Sequence, residues 1–286
     1  MKTYVLYHGG CWDGFCAAWV ARKSLGDSAE YIPVQYGQEP PAMDYGSRLF
    51  IVDFSYKRPV MRNLLSMMHK VTVLDHHKTA QAELEWLGDE FIQRPDLIQN
   101  PPGSELPEII FDMNKSGGRL TWEYFNPANH PRPWLVDYTE DRDLWRYKLD
   151  WSKEINAWLR SYPLDFGLWD TFSLVSPGCG AWDMRVDAGS AILRNERQII
   201  DTHLKHAREI EMDGHKILAV NATVLSSEIA GELAQGRPFG ACYFDNGHGV
   251  RVWSLRSRED GIDVSEVAKK RSGGGHRNAA GFQEAV

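Results

Sequence analysis

The tripeptide Asp75-His76-His77 is the part of the chain whose residue types point most directly to chemistry. It follows an apolar, β-branched run at residues 71–74, which is typical of a buried strand. One carboxylate and two imidazoles therefore stand at a strand tip, where open α/β sheets bind their ligands. Oxygen and nitrogen donors together suit Mn²⁺, Fe²⁺, Co²⁺ or Zn²⁺. The tripeptide indicates a metal site, and the alternative interpretation is a solvated loop that carries two histidines.

Two further apolar runs also end in residues that can bind a metal. Residues 49–52 lead into Asp53, and residues 4–7 lead into His8, with Asp13 five residues further on. Chance placement of a ligand after each of three predicted strands is much rarer than a single match. The repeated pattern therefore favours one metal site built from several strand tips.

Helical patterns separate these runs, at residues 14–25 and 59–70. Alternation of strands and helices predicts an α/β fold whose N-terminal part is a doubly wound, mainly parallel sheet with helices on both faces. Right-handed crossovers would bring the strand tips to one edge of that sheet. We therefore expect the ligands to converge in one crevice.

At these motifs the sequence resembles the DHH phosphoesterase superfamily, which includes RecJ-type exonucleases, small-oligonucleotide phosphodiesterases and manganese pyrophosphatases. The resemblance covers nearly the whole chain, and its motifs stand in the family's order. They are His8-Gly-Gly-Cys-Trp-Asp13-Gly14, Val52-Asp53, Asp75-His76-His77, an acidic segment at residues 137–145, and a glycine-rich segment at residues 273–282.

The resemblance implies one or two divalent ions, with Mn²⁺ as the expected metal. Two ions about 3.5–4 Å apart would hold a bridging hydroxide and the phosphoryl oxygens. Asp53 would bridge both ions. The implied metal ligands are His8, Asp13, Asp53, His76 and Asp141.

The fourth motif leaves a choice among three aspartates. Asp141 is preferred because it lies in a compact acidic run beside residues 134–136, which have a strand-like pattern. Asp137 and Asp143 stay as alternatives.

His77 and Asp75 are the predicted catalytic residues. His77 would face the substrate phosphate as a hydrogen-bond donor or general acid. Asp75 would either ligate weakly or orient its neighbours.

The glycine-rich segment near the C-terminus is predicted to bind substrate. Gly273, Gly274 and Gly275 allow positive φ and let backbone N–H groups approach an anion. His276 follows them, and Arg256 is a candidate for a bidentate phosphate contact. The alternative interpretation is a plain glycine-rich turn.

Cys11 departs from the family's common first motif, in which two carboxylates are spaced Asp-x-Asp. Cys11-Trp12-Asp13 supplies only the second carboxylate. A thiolate can ligate Mn²⁺, Fe²⁺ or Zn²⁺ but is softer than a carboxylate. The alternative is that Cys11 is a small residue in a tight loop.

Composition bounds the function further. The 286 residues carry a net charge of −7, which argues against a long nucleic-acid footprint and favours a small substrate. The four cysteines show no zinc or C-x-x-C spacing, and neither a signal peptide nor a membrane-spanning segment is recognisable. We expect a cytoplasmic protein with no membrane partner.

Two domains are predicted, a metal-binding catalytic domain at 1–190 and a smaller α/β substrate-binding domain with a mixed sheet at 191–286. Residues 151–182 are rich in aromatic residues, which predicts either a packed helical connector or a base-stacking platform. Further predictions are a loop at 99–108, a helix opened by Ser116, a helix at 187–212, and strands at 217–224 and within 239–255.

Three functions remain on this evidence. The first is a metal-dependent phosphohydrolase that cleaves a phosphodiester or phosphomonoester of a nucleotide or short oligonucleotide, at a metal centre in the cleft between the two domains. The second is an inorganic polyphosphate or pyrophosphate hydrolase of the same fold. The third is a non-catalytic nucleotide-binding module. The sequence leaves a homodimer open.

Overall fold

The computed structural model describes residues 1–85, 101–126 and 130–286. Contacts divide the chain into two compact units, Met1–Ser190 and Ala191–Val286. The boundary falls inside one long helix, Gly180–Leu204, which we call α8.

The N-terminal unit contains a five-stranded sheet in which all neighbouring strands are parallel. The strand order is β2-β1-β3-β4-β5. This order confirms the predicted doubly wound α/β fold. The strands are β1 (Thr3–His8), β2 (Ala29–Val34), β3 (Arg48–Val52), β4 (Lys70–Asp75) and β5 (Glu108–Phe111).

Alternate residues of the central strands fill two cores, one on each face of the sheet. In β1, Val5 packs on one face with the helix after β1, and Leu6 packs on the other. Burial on both faces explains why these strands are continuous apolar runs. The helices are α1 (Trp12–Leu25), α2 (Arg58–Met67), α3 (Lys78–Leu84), α4 (Gly117–Phe125), α5 (Trp134–Asp143), α6 (Ser152–Arg160) and α7 (Phe166–Ser173).

Two local predictions for this unit were wrong, and a third was confirmed where the structure describes it. The helix predicted at 59–70 ends at Met67, and Lys70 already begins β4. The predicted loop at 99–108 is confirmed over residues 101–107, with its first two residues outside the described residues and its last residue in β5. Residues 134–136 were predicted to be strand-like but form the start of helix α5. This helix is buried around most of its circumference, so its sequence lacks the polar face that marks a surface helix.

The aromatic segment at 151–182 is a packed helical connector, one of its two predicted interpretations. Trp158, Trp169, Phe172 and Trp182 belong to the core that also holds α1. The guanidinium carbon of Arg185 lies 4.4 Å from the ring centroid of Trp158. Burial leaves these four rings no free face on which a base could stack.

The C-terminal unit contains a mixed six-stranded sheet, as predicted, in the order β10-β11-β9-β8-β7-β6. Only β7 and β8 are parallel among its neighbouring strands. Ile217 and Leu218, adjacent in β7, pack into separate cores on opposite faces. The elements are β6 (Arg208–Met212), β7 (His215–Asn221), α9 (Ser226–Leu233), β8 (Gly240–Asp245), β9 (Val250–Arg256), α10 (Val264–Lys269), β10 (Gly274–His276) and β11 (Ala279–Ala285).

The helix predicted at 187–212 runs too far at its C-terminal end. Helix α8 stops at Leu204, and residues 208–212 form strand β6, which pairs with β7. Asp213 and Gly214 join the two strands with φ values of 54° and 78°, as a two-residue hairpin turn requires. The Asp-Gly dipeptide was therefore the turn signal that the helical pattern obscured. No helix in the described part of the chain is long and apolar enough to cross a membrane.

Candidate metal centre

Strand β1 lies between β2 and β3, so the strand order reverses direction beside it. A doubly wound sheet opens a crevice at such a point, beyond the carboxyl ends of its strands. His8 ends β1, Asp53 follows β3, and Asp75 ends β4 with two histidines after it. The fold therefore carries the predicted ligands of three strands to the same edge.

Asp53 sits in an unusual backbone conformation directly after β3. Its φ is +62°, a left-handed value that non-glycine residues seldom adopt, although aspartate tolerates it better than most. Its N–H still donates to the Leu74 carbonyl at 2.9 Å, and only 1% of the residue is exposed. A Cβ on Gly117 would lie 2.6 Å from the Asp53 Cβ, so glycine is required there. Strain of this kind clusters at functional sites.

Asp13 is held by the N-terminus of α4. Its carboxylate accepts the backbone N–H groups of Gly117 and Gly118, the second at 3.0 Å. The Ser116 hydroxyl accepts from the Arg119 N–H at 3.2 Å and caps the helix. The positive end of the helix dipole therefore faces a buried carboxylate. Sequence analysis predicted the start of this helix at Ser116 but not its contact with Asp13.

His76 lies among three carboxylates. Its Nε2 atom is 3.1 Å from an Asp53 oxygen, 3.5 Å from an Asp13 oxygen and 3.6 Å from an Asp143 oxygen. Asp13, Asp53 and His76 are each about 1% exposed. One buried nitrogen and several buried oxygens thus converge on one small volume.

Asp75 organises the two histidines that follow it. One of its oxygens accepts the His76 N–H at 2.7 Å and the His77 N–H at 3.2 Å, and the same oxygen lies 2.7 Å from His77 Nδ1. Asp75 is fully buried, whereas the His77 side chain is 14% exposed. Asp75 therefore fixes the orientation of His77, which is the more accessible of the two residues.

The first motif brings a second group of donors to the other carboxylate oxygen of Asp53, the one that does not face His76. The nitrogen, sulfur and oxygen donors of His8, Cys11 and Asp53 lie within 4.8 Å of one another. His8 Nδ1 is 3.6 Å from Asp53 Oδ2. Tyr36 packs against the His8 ring at a centroid distance of 4.6 Å. It follows β2, a strand that sequence analysis did not predict, so Tyr36 was missed.

In the fourth motif, the structure places Asp143, not Asp141, beside the cluster. The Asp141 carboxylate accepts the N–H groups of Lys148 and Leu149 at 2.9 and 3.1 Å, and Asp137 pairs with Arg132. Positions 141 and 143 share helix α5, where two residues turn roughly 200° around the axis. Only one of the two can therefore face His76. The preference for Asp141 assumed that residues 134–136 form a strand. Along a strand, positions 141 and 143 would lie on the same face, so the sequence pattern did not distinguish them.

Mutual charge interactions shift the pKa values of the cluster strongly. Burial alone would raise the pKa of Asp53, but the adjacent imidazoles of His76 and His8 hold it well below its usual value. Burial, followed by the charges of Asp53 and Asp143, raises the pKa of Asp13 well above its usual value. Burial opposes protonation of His76, but Asp53, Asp143 and Asp13 outweigh it and raise the pKa of His76 to about 10. In the metal-free protein the His76 proton thus compensates the carboxylates.

A divalent metal ion fits these residues. Asp53 Oδ2, Asp143 Oδ2 and His8 Nδ1 are buried atoms that form no hydrogen bond among the described residues. Orphaned polar atoms of this kind are costly unless an ion or water satisfies them. Carboxylate oxygen and imidazole nitrogen are the donors that first-row divalent metals accept.

The C-terminal motif lies in strands β10 and β11. A Cβ on Gly273 would lie 2.2 Å from the Gly281 carbonyl oxygen, and Gly275 has φ +136°, so close strand approach accounts for these two glycines. His276 and Arg256 are both directly opposite Ala279, on either side of β11. Opposed residues of antiparallel strands share a face, so these two side chains lie on one face of the sheet. The Arg256 guanidinium donates to the Leu255 carbonyl and, at 2.5 Å, to the Ser227 hydroxyl.

Comparison with known proteins finds relatives of low sequence identity. No family model matches the chain. An uncharacterised protein of Acanthamoeba polyphaga mimivirus is 31% identical over 306 residues, which cover 97% of this chain and 66% of that protein. The chain therefore spans just under two thirds of the length of this relative.

Among solved structures, the DHH domain of a member of the S1p family of ribosomal proteins matches with a TM-score of 0.55 and 13% identity, over 98% of this chain and 82% of that one. A pGpG-specific phosphodiesterase from Vibrio cholerae has a TM-score of 0.48 and 15% identity, over 100% and 94% of the two chains. Exonuclease RecJ bound to manganese has a TM-score of 0.43 and 14% identity, over 98% and 85%. The chain has the fold of a DHH domain, and the resemblance seen in its motifs is confirmed at that level.

The two aspartates of α5 should respond differently to removal of their charge. Asp143→Asn should weaken Mn²⁺ binding by at least about tenfold, because it neutralises an oxygen beside His76. Asp141→Asn should leave the affinity nearly unchanged but lower the free energy of unfolding by about 1–3 kcal/mol, because it weakens two charge-assisted hydrogen bonds. Calorimetric metal titration and urea unfolding measure both effects. The reverse pattern would return the assignment to Asp141.

Metal binding should also release protons. Because the pKa of His76 is raised to about 10, its imidazole is protonated at pH 8 and must lose that proton before Nε2 can ligate. Affinity should therefore rise with pH up to about 10 and level off above it. Calorimetry in two buffers of different ionisation enthalpy gives the number of protons released. His76→Gln should release about one fewer proton than the wild type, and an unchanged number would contradict the assignment of His76 as the displaced acid.

Proposed function

We propose that the chain is a metal-dependent phosphoesterase that hydrolyses a phosphodiester or phosphomonoester of a nucleotide or short oligonucleotide. One observation carries this proposal. Asp13, Asp53 and Asp143 converge on His76 Nε2 at the switch point of a DHH-type sheet. Three carboxylates this close together, two of them buried, repel one another and are costly unless a positive charge lies among them.

The residues divide into two sets that share one carboxylate. His76, Asp13, Asp143 and one oxygen of Asp53 form the first set, and His8 with the other oxygen of Asp53 forms the second. Bound divalent ions would supply an activated water and polarise the phosphoryl oxygens. Manganese is our proposed metal for the first set, because its donors are mostly carboxylate oxygens.

His77 is suited to act on the substrate phosphate. Its Nδ1 is fixed by Asp75. Burial lowers the pKa of His77, but the charge and hydrogen bond of Asp75, together with the charge of Asp53, more than offset burial and raise that pKa. A protonated imidazole can donate to a phosphoryl oxygen or protonate a leaving oxygen. Asp75 then acts by holding the ring and its charge in place, as buried carboxylates do behind active-site histidines.

We assign recognition of the rest of the substrate to the C-terminal unit. His276 and Arg256 lie on the same face of its sheet, two strands apart. A guanidinium and an imidazole so placed can both donate hydrogen bonds to the phosphate of a nucleotide, and the net charge of −7 favours a small substrate over a long polyanion. The four cysteines, all within the described residues, are free thiols, which suits a cytoplasmic protein.

Removal of the shared carboxylate should abolish turnover. Asp53→Asn should lower kcat/KM by at least about a thousandfold, because several kcal/mol of transition-state stabilisation pass through this ligand. The assay uses Mn²⁺ with a nucleotide dimer, a 3′,5′-bisphosphate nucleotide, a linear polyphosphate and pyrophosphate. Asp44→Asn is the matched control, since Asp44 is exposed and pairs with Lys2. Activity of Asp53→Asn within tenfold of the wild type would refute the proposed function, and turnover of the inorganic substrates alone would replace it with polyphosphate or pyrophosphate hydrolysis.

Substitution of a substrate-recognition residue should change KM without changing metal content. His276→Ala should raise KM for the nucleotide substrate by about tenfold, the loss of one charge-assisted hydrogen bond, and should leave metal content unchanged. Hydrolysis of p-nitrophenyl phosphate, which lacks a nucleoside, should change less. His248→Ala is the control, since His248 is exposed in a turn of the same unit. Equal losses on both substrates, or loss of metal, would contradict a separate recognition role.

A further inference from the structure

Cys11 lies close to two buried metal-ligand atoms that form no hydrogen bond among the described residues. The Cys11 sulfur, a His8 ring nitrogen and an Asp53 oxygen are all within 4.8 Å of one another. Asp53 is 1% exposed, and its Oδ2 atom forms no hydrogen bond among the described residues. His8 Nδ1 likewise lacks a hydrogen bond and lies 3.6 Å from that oxygen. The thiol therefore completes a group of three donors of three different elements.

A role in helix capping does not explain Cys11. It occupies the N-cap position of α1, where its side chain forms no cap hydrogen bond. Serine, threonine, aspartate and asparagine are the residues preferred at this position, because their side-chain oxygens accept a hydrogen bond from the first helical turn. Cys11 is only partly buried and, like the other three cysteines, is a free thiol. Neither a cap hydrogen bond nor a disulfide therefore accounts for a thiol at this position.

We propose that Cys11 is a metal ligand, and that His8, Cys11 and Asp53 form a subsite that selects Zn²⁺, Co²⁺ or Fe²⁺ over Mn²⁺. This inference rests on the proposed metal centre, and it names the class of metal that the second of its two sets of ligands would bind. On binding, the thiol gives its proton to solvent and forms a sulfur–metal bond, and no atom changes oxidation state. Thiolate is a soft donor, and soft donors favour these metals over hard ions.

The two halves of the centre then differ in chemical character. Asp13, Asp143 and His76 give the first half harder donors, whereas sulfur and nitrogen dominate the second. Asp53 belongs to both halves through its two oxygens. The chain would therefore hold two different metals, one on each side of a single carboxylate.

Cobalt titration tests this directly, because sulfur ligation gives Co²⁺ an intense charge-transfer absorption in the near ultraviolet that oxygen and nitrogen ligands do not. The wild type should show this band, and Cys179→Ser, which changes an exposed thiol, should keep it. Cys11→Ser and Cys11→Asp should lose it. Cys11→Asp should still bind two ions and should bind Mn²⁺ more tightly than the wild type, which shows that the fold survives. A wild-type spectrum without the band at saturating cobalt, or a band that persists in Cys11→Ser, overturns the proposal.

Affinity and labelling give a second readout. Cys11→Ser should weaken Zn²⁺ binding at the second subsite by at least about tenfold. Loss of a residue that only hydrogen-bonds to a metal ligand already lowers metal affinity by about that factor. Bound Zn²⁺ should slow alkylation of Cys11 by iodoacetamide by at least about tenfold, because a metal-bound thiolate is not free to react. Peptide mapping provides Cys179 as the internal control, whose labelling should not change. Equal labelling of Cys11 with and without Zn²⁺ overturns the proposal.

Asp53→Asn separates this proposal from the proposed function. If it abolishes cobalt binding while the wild type binds cobalt without the sulfur band, the metal centre stands and only the role of Cys11 is wrong. If Asp53→Asn binds cobalt as the wild type does, the metal centre itself is wrong.

Discussion

Burial of like charges around one imidazole is the constraint on which the rest of the N-terminal unit depends. Asp13, Asp53 and Asp143 surround His76 Nε2 at distances between 3.1 and 3.6 Å. Carboxylates so close together would protonate or repel one another unless a positive charge lies among them. The metal-free protein meets this need with a proton on His76, whose pKa is raised to about 10. A divalent ion would supply more positive charge in the same place, which is why the proposed function puts a metal there.

The surrounding fold serves the same constraint. The left-handed backbone at Asp53 turns its carboxylate back over the strand ends, and Gly117 leaves room for it. The N-terminus of α4 donates two N–H groups to Asp13, so one carboxylate is stabilised before any ion binds. Asp75 supports the second histidine in the same manner. Asp13 and His77 are thus each held by a hydrogen-bonding group that lies behind them.

Much of this arrangement could be predicted from the sequence, because it follows from strand ends. Apolar runs followed by His8, Asp53 and Asp75 place ligands at one edge of any parallel sheet. The sequence could not separate Asp141 from Asp143 for a physical reason: helix α5 is buried around most of its circumference and has little polar face, so the run before these residues suggested a strand. The contact between Asp13 and α4 joins residues more than 100 positions apart, which no local pattern records. Strand β2 and the hairpin of β6 with β7 were missed because partly exposed strands have mixed composition.

The two units have separate hydrophobic cores, and all the ligands proposed here lie in only one of them. A metal ion that binds the folded N-terminal unit raises the free energy of unfolding of that unit by mass action. Because Asp13 also anchors α4 through Gly117 and Gly118, the stabilisation extends from the crevice into the packing of α4 against α1. Bound metal would therefore raise the melting temperature of the N-terminal core, a thermodynamic sign of occupancy that needs no substrate.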